Sequence, residues 1–220
     1  MTGMRRIKAQ AMQVIGITGG VGAGKSAILN ILQEQYNARV IQADKVGHLV
    51  MEPGREAYEK VLLAFGTRIL CPDGRINREI LGQIVFADQE KREELNHIIH
   101  PTVKSWIYQE IQRESREGSY GLLVIEAALL IEDHYEELCE EFWYIYTDEK
   151  VRRERLKHSR GYTDEKITAI FESQLSETAF REHCQVVIDN NGSLEDTYGQ
   201  IQKAIWRRIT SAQNNLQTGE

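Results

Sequence analysis

At 220 residues, with 41% hydrophobic and 27% charged side chains, the chain can bury about 70% of its unfolded surface and needs no staple to fold. A net charge of -6 excludes a general nucleic-acid binder, whose phosphate contacts call for a basic domain, and no apolar run reaches the roughly 18 residues of a membrane span. Cys71, Cys139 and Cys184 are widely spaced, with no CxxC or Cys/His cluster, which points to structural thiols in a cytoplasmic protein and not to a disulfide framework or a zinc site.

Met1 to Met12 is basic but has no apolar h-region, so it is expected to be a flexible leader and not a signal peptide. Val14 to Thr18 reads as a buried strand, and it opens into Gly19-Gly20-Val21-Gly22-Ala23-Gly24-Lys25-Ser26. That is the spacing of a phosphate loop, and Ala27, Ile28, Leu29, Ile31 and Leu32 continue it as an apolar helical stripe. Strand, loop, Lys-Ser and helix agree with one another, which the bare pattern alone does not require. Backbone N–H groups can surround a phosphate only where side chains do not block the approach, so Gly20, Val21, Gly22, Ala23, Gly24, Lys25 and Ser26 are expected to cradle ATP. Lys25 supplies a mobile positive charge for the β- and γ-phosphates, and the Ser26 hydroxyl is the expected Mg²⁺ ligand.

Arg39 to Asp44 reads as a second strand with Asp44 at or just past its carboxyl end, the edge where open α/β sheets bind ligands. From Lys45 to about Gly118 the periodicity is helical, with a turn at Pro72-Asp73-Gly74, an N-cap at Asn77 and a break at His100-Pro101. An insertion of that length is expected to be a helical subdomain covering a substrate. Tyr120 to Ile125, ending in Glu126, reads as a buried central strand, and Phe142 to Tyr146 as another. Asp148 is expected to cap the basic helix through Lys157, and Thr163 a second helix. Val186 to Ile188 is a last strand, Asp189 to Gly192 a turn, and Ser193 the cap of a final helix that frays from Thr210. The expectation is an α/β fold: a parallel five-stranded sheet as a phosphate-loop kinase core at 13–44 and 119–209, a helical acceptor-binding insertion at 45–118, a helical lid at about 149–178, and flexible termini at 1–12 and 210–220.

Phosphoryl transfer to an alcohol needs a triphosphate cradle, a metal, a base and mobile positive charge. Asp44 is the candidate base; its alternative is a helix N-cap, and the two are compatible. Glu126 at a strand end can reach metal-bound water, or can pair with an arginine that holds the acceptor or the lid. Arg153, Lys157 and Arg160 fall on one helical stripe, read either as a closing lid hinged at Gly161 or as a solvated face. His100 is a candidate base or a structural histidine, and Asn190 either touches an adenine or only makes a turn.

These stretches together resemble the dephospho-coenzyme A kinases, from about Val14 to Ile205. The likeness rests on Ile15 to Gly20 running into Gly24-Lys25-Ser26, Ala43-Asp44, Asn77-Arg78, Leu81, Val85-Phe86, and Leu95-Asn96 leading to His100-Pro101. Further along it rests on Glu126 to Glu132, Arg155-Leu156, Gln174, and Val187 to Asn190 with Gly192. The resemblance implies transfer of the γ-phosphate of ATP, with Mg²⁺, to the ribose 3′-hydroxyl of dephospho-coenzyme A. It implies Asp44 as base, Lys25 with Arg155 or Arg160 at the transferring phosphate, Asn190 among the nucleotide contacts, and Arg78, His100 and Glu126 toward the acceptor. The family often has Asp at 42, Arg at 48, Asp at 126 and Pro at 128, where this chain has Gln42, His48, Glu126 and Ala128. The expected partner is that small acceptor, with neither nucleic acid nor membrane, for a monomer or weak oligomer. The alternatives are another phosphate-loop small-molecule or nucleoside kinase and, further off, a GTPase-like switch, against which stands the missing Asn-Lys-x-Asp stretch.

Overall fold

The apolar runs of the sequence become five strands in a computed structural model that describes residues 12–218: β1 (Gln13–Thr18), β2 (Arg39–Gln42), β3 (Leu122–Glu126), β4 (Glu141–Tyr146) and β5 (Val186–Asp189). They make one sheet in the order β2-β3-β1-β4-β5, and the β1–β3, β1–β4 and β4–β5 pairs are parallel. Register puts Ile17 opposite Glu126 and Thr18 opposite Tyr144, so the carboxyl ends of β1, β3 and β4 share one edge. The leader expected before residue 12, and residues 219–220, lie outside the described residues.

Successive strand residues face opposite sides. Ile15, Ile17, Val124, Trp143, Ile145 and Ile188 therefore share one face, where they pack with Ile28 and Leu32 of α1 (Lys25–Tyr36) and Ile201 and Ile205 of α9 (Leu194–Thr218). Each such side chain is worth roughly 1.5–3 kcal/mol when fully buried. On the other face Gly16 is required by close packing, because a Cβ there would come within 2.7 Å of Leu130 and 2.8 Å of Phe142. The final helix continues to Thr218, past the expected end of the core at 209, since no Gly or Pro intervenes before Gly219.

Three further helices, α6 (Glu149–Arg160), α7 (Asp164–Glu172) and α8 (Glu177–His183), connect β4 to β5. Thr163 and Ser176 cap α7 and α8 through their side chains. Asp148 stands at the N-cap position of α6, but its carboxylate accepts a hydrogen bond from Tyr146 and caps nothing, which corrects the expected role.

The chain divides into two compact units, one of residues 41–121 and the other of 13–40 and the described residues from 122 onward. In the first, α2 (Ala43–Val50), α3 (Glu56–Phe65) and α4 (Arg78–Ala87) each pack on α5 (Gln89–Glu117). Val61, Phe65, Ile69, Ile76 and Leu81 form its core, and Asn77 caps α4 by accepting from the Glu79 and Ile80 N–H groups. The expected break at His100-Pro101 does not occur: α5 runs through Pro101. A proline there forfeits roughly 3 kcal/mol of helix stability. Burial of Val103 and Ile107 just beyond it favours continuation.

At the amino-terminal edge of the sheet Arg208, only 7% exposed, donates to Gln13 at 3.2 Å, to Glu140 at 3.1 Å and to Glu141. Arg208→Ala removes a partner from the Glu141 carboxylate, which is only 12% exposed, so a loss of about 3 kcal/mol is expected, with little from the exposed Glu140. Urea unfolding should show it as a lower midpoint at unchanged slope. An unmoved midpoint would mean that Arg207, which donates to Glu141 at 2.5 Å, suffices alone.

The three cysteines are free thiols. Burial pushes the Cys139 and Cys184 thiols up to about 12, while Cys71 is part-exposed. A raised thiol value means almost no thiolate at pH 8. A maleimide is therefore expected to label Cys71 first, giving a single adduct by mass, and equal labelling of all three would contradict that burial.

Candidate active site

Between β1 and α1 the chain must turn from strand to helix while keeping its amides bare. Gly24 holds the N-cap position of α1 at φ 88°, and a Cβ on it would fall 2.4 Å from Asn190 Nδ2. Gly20 has an equally tight neighbour, since its Cβ would lie 2.0 Å from Arg152 Nη1. The first N–H groups of α1 have no intrahelical acceptor and carry the positive end of the helix dipole, which suits an anion.

Three donors converge on the carbonyl of Ala23: Asn190 Nδ2 at 2.8 Å, Thr147 Oγ1 at 3.0 Å and Arg155 Nη1 at 3.4 Å. Asn190 is buried, and its Oδ1 accepts from Thr197 at 2.9 Å, so its side chain sits beneath the loop as a brace. Arg155 Nη2 also donates to the Asn190 carbonyl at 2.8 Å, binding the end of β5 to the same cluster. Lys25 Nζ donates to the Gly19 carbonyl at 2.8 Å and lies 3.7 Å from Glu126 Oε1. Lys25, Glu126, Arg155 and the loop are thus gathered at the carboxyl edge of the sheet.

Arg152 joins them. Its guanidinium lies over the Phe171 ring at 4.2 Å and donates from Nη1 to Gln174 Oε1 at 3.3 Å. The same Gln174 oxygen accepts the Val21 N–H of the loop, also at 3.3 Å. Arg152 Nε is buried and has no hydrogen-bond partner among the described residues. Beside the amino-terminal end of α1, that unmet donor fits an anion at the loop.

The expected stripe of Arg153, Lys157 and Arg160 takes other work. Arg153 pairs with Glu149 at 3.0 Å and Asp164 at 3.1 Å, and Lys157 with Asp164 at 2.9 Å, clasping α6 to α7. Hydrogen bonds from Lys157 and then Arg153 hold the Asp164 carboxyl below its ordinary value. Arg160 is exposed at the end of α6, 5.9 Å over the Tyr162 ring. The face that meets the loop carries Arg152 and Arg155, three residues apart. That spacing is legible in the sequence, but spacing alone does not say which face of α6 meets the loop.

In the unit of residues 41–121, Asp44 is exposed as the second residue of α2, and Gln42 takes the N-cap position that had been the alternative for Asp44. Arg78 lines a cavity of about 410 Å³ with His48, Arg75, Asn77 and Cys71. His100 lines a different cavity of about 330 Å³ with Asn96, His97 and Pro101. Arg78 and His100, expected to serve one acceptor, are not brought into one cavity, whereas His48 and Arg75, not expected, stand with Arg78.

Comparison with known proteins decides among the kinases that such a loop permits. The family model described as dephospho-CoA kinase (CoaE) matches residues 13–196. The chain belongs to the dephospho-CoA kinase family. A relative named dephospho-CoA kinase from Shouchella clausii is 35% identical over 191 residues, covering 87% of this chain and 96% of the relative. A structure titled TT1252 from Thermus thermophilus superposes with a TM-score of 0.76 at 25% identity, covering 90% of this chain and 98% of that one. A dephospho-CoA kinase from Campylobacter jejuni, at 24% identity and TM-score 0.67 over 90% of this chain and 98% of its own, shares the fold. The α/β architecture is that of the phosphate-loop kinases.

The donors gathered at the loop suit a phosphate-bearing ligand. No group of three or more His, Cys, Asp or Glu is gathered for a metal among the described residues. Mg²⁺ does not require one, because it keeps several waters and takes the rest of its ligands from phosphate oxygens and one or two protein oxygens. Ser26, exposed in the first turn of α1, offers one hydroxyl oxygen of that kind. Among the described residues no helix is long and apolar enough to cross a membrane.

Proposed function

We propose that this chain transfers the γ-phosphate of ATP to the ribose 3′-hydroxyl of dephospho-coenzyme A, giving coenzyme A and ADP in the last step of coenzyme A synthesis, in the cytoplasm. The observation that carries this reading is the phosphate loop with Lys25, Arg152 and Arg155 gathered on it, in a chain that matches the dephospho-CoA kinase family over residues 13–196.

The loop amides and Lys25 bind the phosphates, and Lys25 exchanges its bonds to Gly19 and Glu126 for the β- and γ-oxygens. Asp44 accepts the proton of the attacking 3′-hydroxyl as that oxygen bonds to the γ-phosphorus and the bond to ADP breaks. Arg152 and Arg155 stabilise the charge spread over the transferring phosphoryl group, a role for which Arg155 is a better candidate than the exposed Arg160. Ser26 would hold Mg²⁺, which when bound neutralises charge between the β- and γ-phosphates. Glu126 sets the resting position of Lys25, and Asn190 keeps the loop in shape. In the helical unit, Arg78 with His48 and Arg75 is the candidate seat for the acceptor's pyrophosphate, with His100 a separate and weaker candidate. Residues 149–178 would move as a lid, α6 and α7 travelling together because Asp164 clasps them.

A coupled ADP-release assay with dephospho-coenzyme A, its 3′-deoxy analogue, adenosine, shikimate and no acceptor tests the reading. Turnover is expected with dephospho-coenzyme A, giving a 3′-phosphate, and none with the 3′-deoxy analogue. Adenosine should be poor because it lacks the remote binding energy that aligns the reacting oxygen. Equal turnover of adenosine would move the assignment to a nucleoside kinase.

A further inference from the structure

We propose that Gln174 is a positioning residue that couples occupancy of the phosphate loop to the delivery of Arg152, an inference that rests on the kinase reading above. Its side-chain oxygen accepts two bonds at once, from the Val21 N–H of the loop and from Arg152 Nη1, both at 3.3 Å. A carbonyl oxygen has two lone pairs, so this one is fully used.

The two donors have different fates when a triphosphate enters. Val21 N–H is one of the amides from which a phosphate cradle is built, and a charged phosphate oxygen is a stronger acceptor than a neutral amide. Phosphate therefore takes Val21 from Gln174, and the whole acceptor capacity of Gln174 passes to Arg152. Arg152 is held on its other side by the Phe171 ring at 4.2 Å, and its buried Nε is still an unspent donor. The guanidinium is then fixed beside Gly20 with that donor free for the phosphoryl group. Phe171 lies in the last turn of α7 and Gln174 two residues past its end, so both partners of Arg152 come from one short stretch of chain. A neutral amide suits this exchange. A carboxylate would hold both donors more firmly and repel the incoming phosphate, whereas an apolar side chain would hold neither.

The test compares wild type, Gln174→Leu, Gln174→Glu, Arg152→Ala and the Gln174→Leu/Arg152→Ala double variant, by kcat and KM with dephospho-coenzyme A, by calorimetric ATP binding and by thermal unfolding. Gln174→Leu is expected to lower kcat by roughly 10²-fold, the scale of a misplaced catalytic group, with little change in ATP affinity or melting temperature. Gln174→Glu should weaken ATP binding on the order of tenfold, seen by calorimetry without any acceptor present. If Gln174 acts through Arg152, the double variant turns over no more slowly than Arg152→Ala alone. Multiplying losses in the double variant would overturn the proposal, as would activity that falls only in step with melting temperature or a Gln174→Leu enzyme with unchanged kcat. Wild type that ignores dephospho-coenzyme A would refute the kinase reading instead, and the calorimetric arm separates the two failures.

Discussion

Lys25→Ala is expected to lower turnover by about 10³-fold, the size of effect seen when a preorganised donor to developing charge is removed, while the fold stays intact. The side chain contributes no packing to the core: its ammonium bonds to the Gly19 carbonyl and faces Glu126, and it retains 16% exposure against 12% for its carboxylate partner. Its charge matters because it can move. In the structure it is parked on two oxygens of the protein, and both can be exchanged for phosphate oxygens during transfer. Steady-state assays beside circular dichroism melts check the expectation, with Glu126→Gln as a control that frees the lysine without removing it. Activity within a few-fold of wild type in Lys25→Ala would show that this loop does not carry the transferring phosphate.

Asp44→Asn comes next in size, with an expected loss of 10²-fold to 10⁴-fold in turnover, the range for a general base. The amide is nearly isosteric, and Asp44 is an exposed residue in the first turn of α2, so the backbone has no reason to change. Loss of a negative charge near a helix N-terminus costs roughly 0.3–1 kcal/mol, too little to unfold a domain. Direct titration of ATP and dephospho-coenzyme A should give wild-type affinities. Weakened acceptor affinity with undiminished turnover would instead make Asp44 a binding residue.

What was legible beforehand was what is local in sequence. The phosphate loop could be read because strand, glycines, Lys25-Ser26 and the stripe of α1 are contiguous, and each constrains the next. The five strands could be read because their apolar runs are short and continuous. Pro101 misled because the missing N–H is a local cost, whereas burial of Val103 and Ile107 is a tertiary gain that no window around the proline reveals. The lid arginines misled for a similar reason: spacing identifies which residues share a face but not what that face meets. Asp164, which occupies Arg153 and Lys157, belongs to the next helix. The turn at Asn190 carries no local sign that its side chain donates to the Ala23 carbonyl, 167 residues earlier in the chain. Arg78 and His100 were paired by resemblance, and the fold gives them separate cavities.

The convergence of Asn190, Thr147 and Arg155 on one carbonyl bears on the thermodynamics of nucleotide binding. Glycines lose more freedom on ordering than any other residue, so a loop with glycines at 19, 20, 22 and 24 would by itself be expensive to fix around a ligand. Here that ordering occurs when the polypeptide folds, through donors from the residue after β5, the residue after β4 and α6, before any phosphate arrives. Calorimetric association should consequently carry a small entropic penalty for the loop. Asn190→Ala would transfer that penalty from folding to binding, so the variant's weaker affinity should appear in the entropy term and grow with temperature.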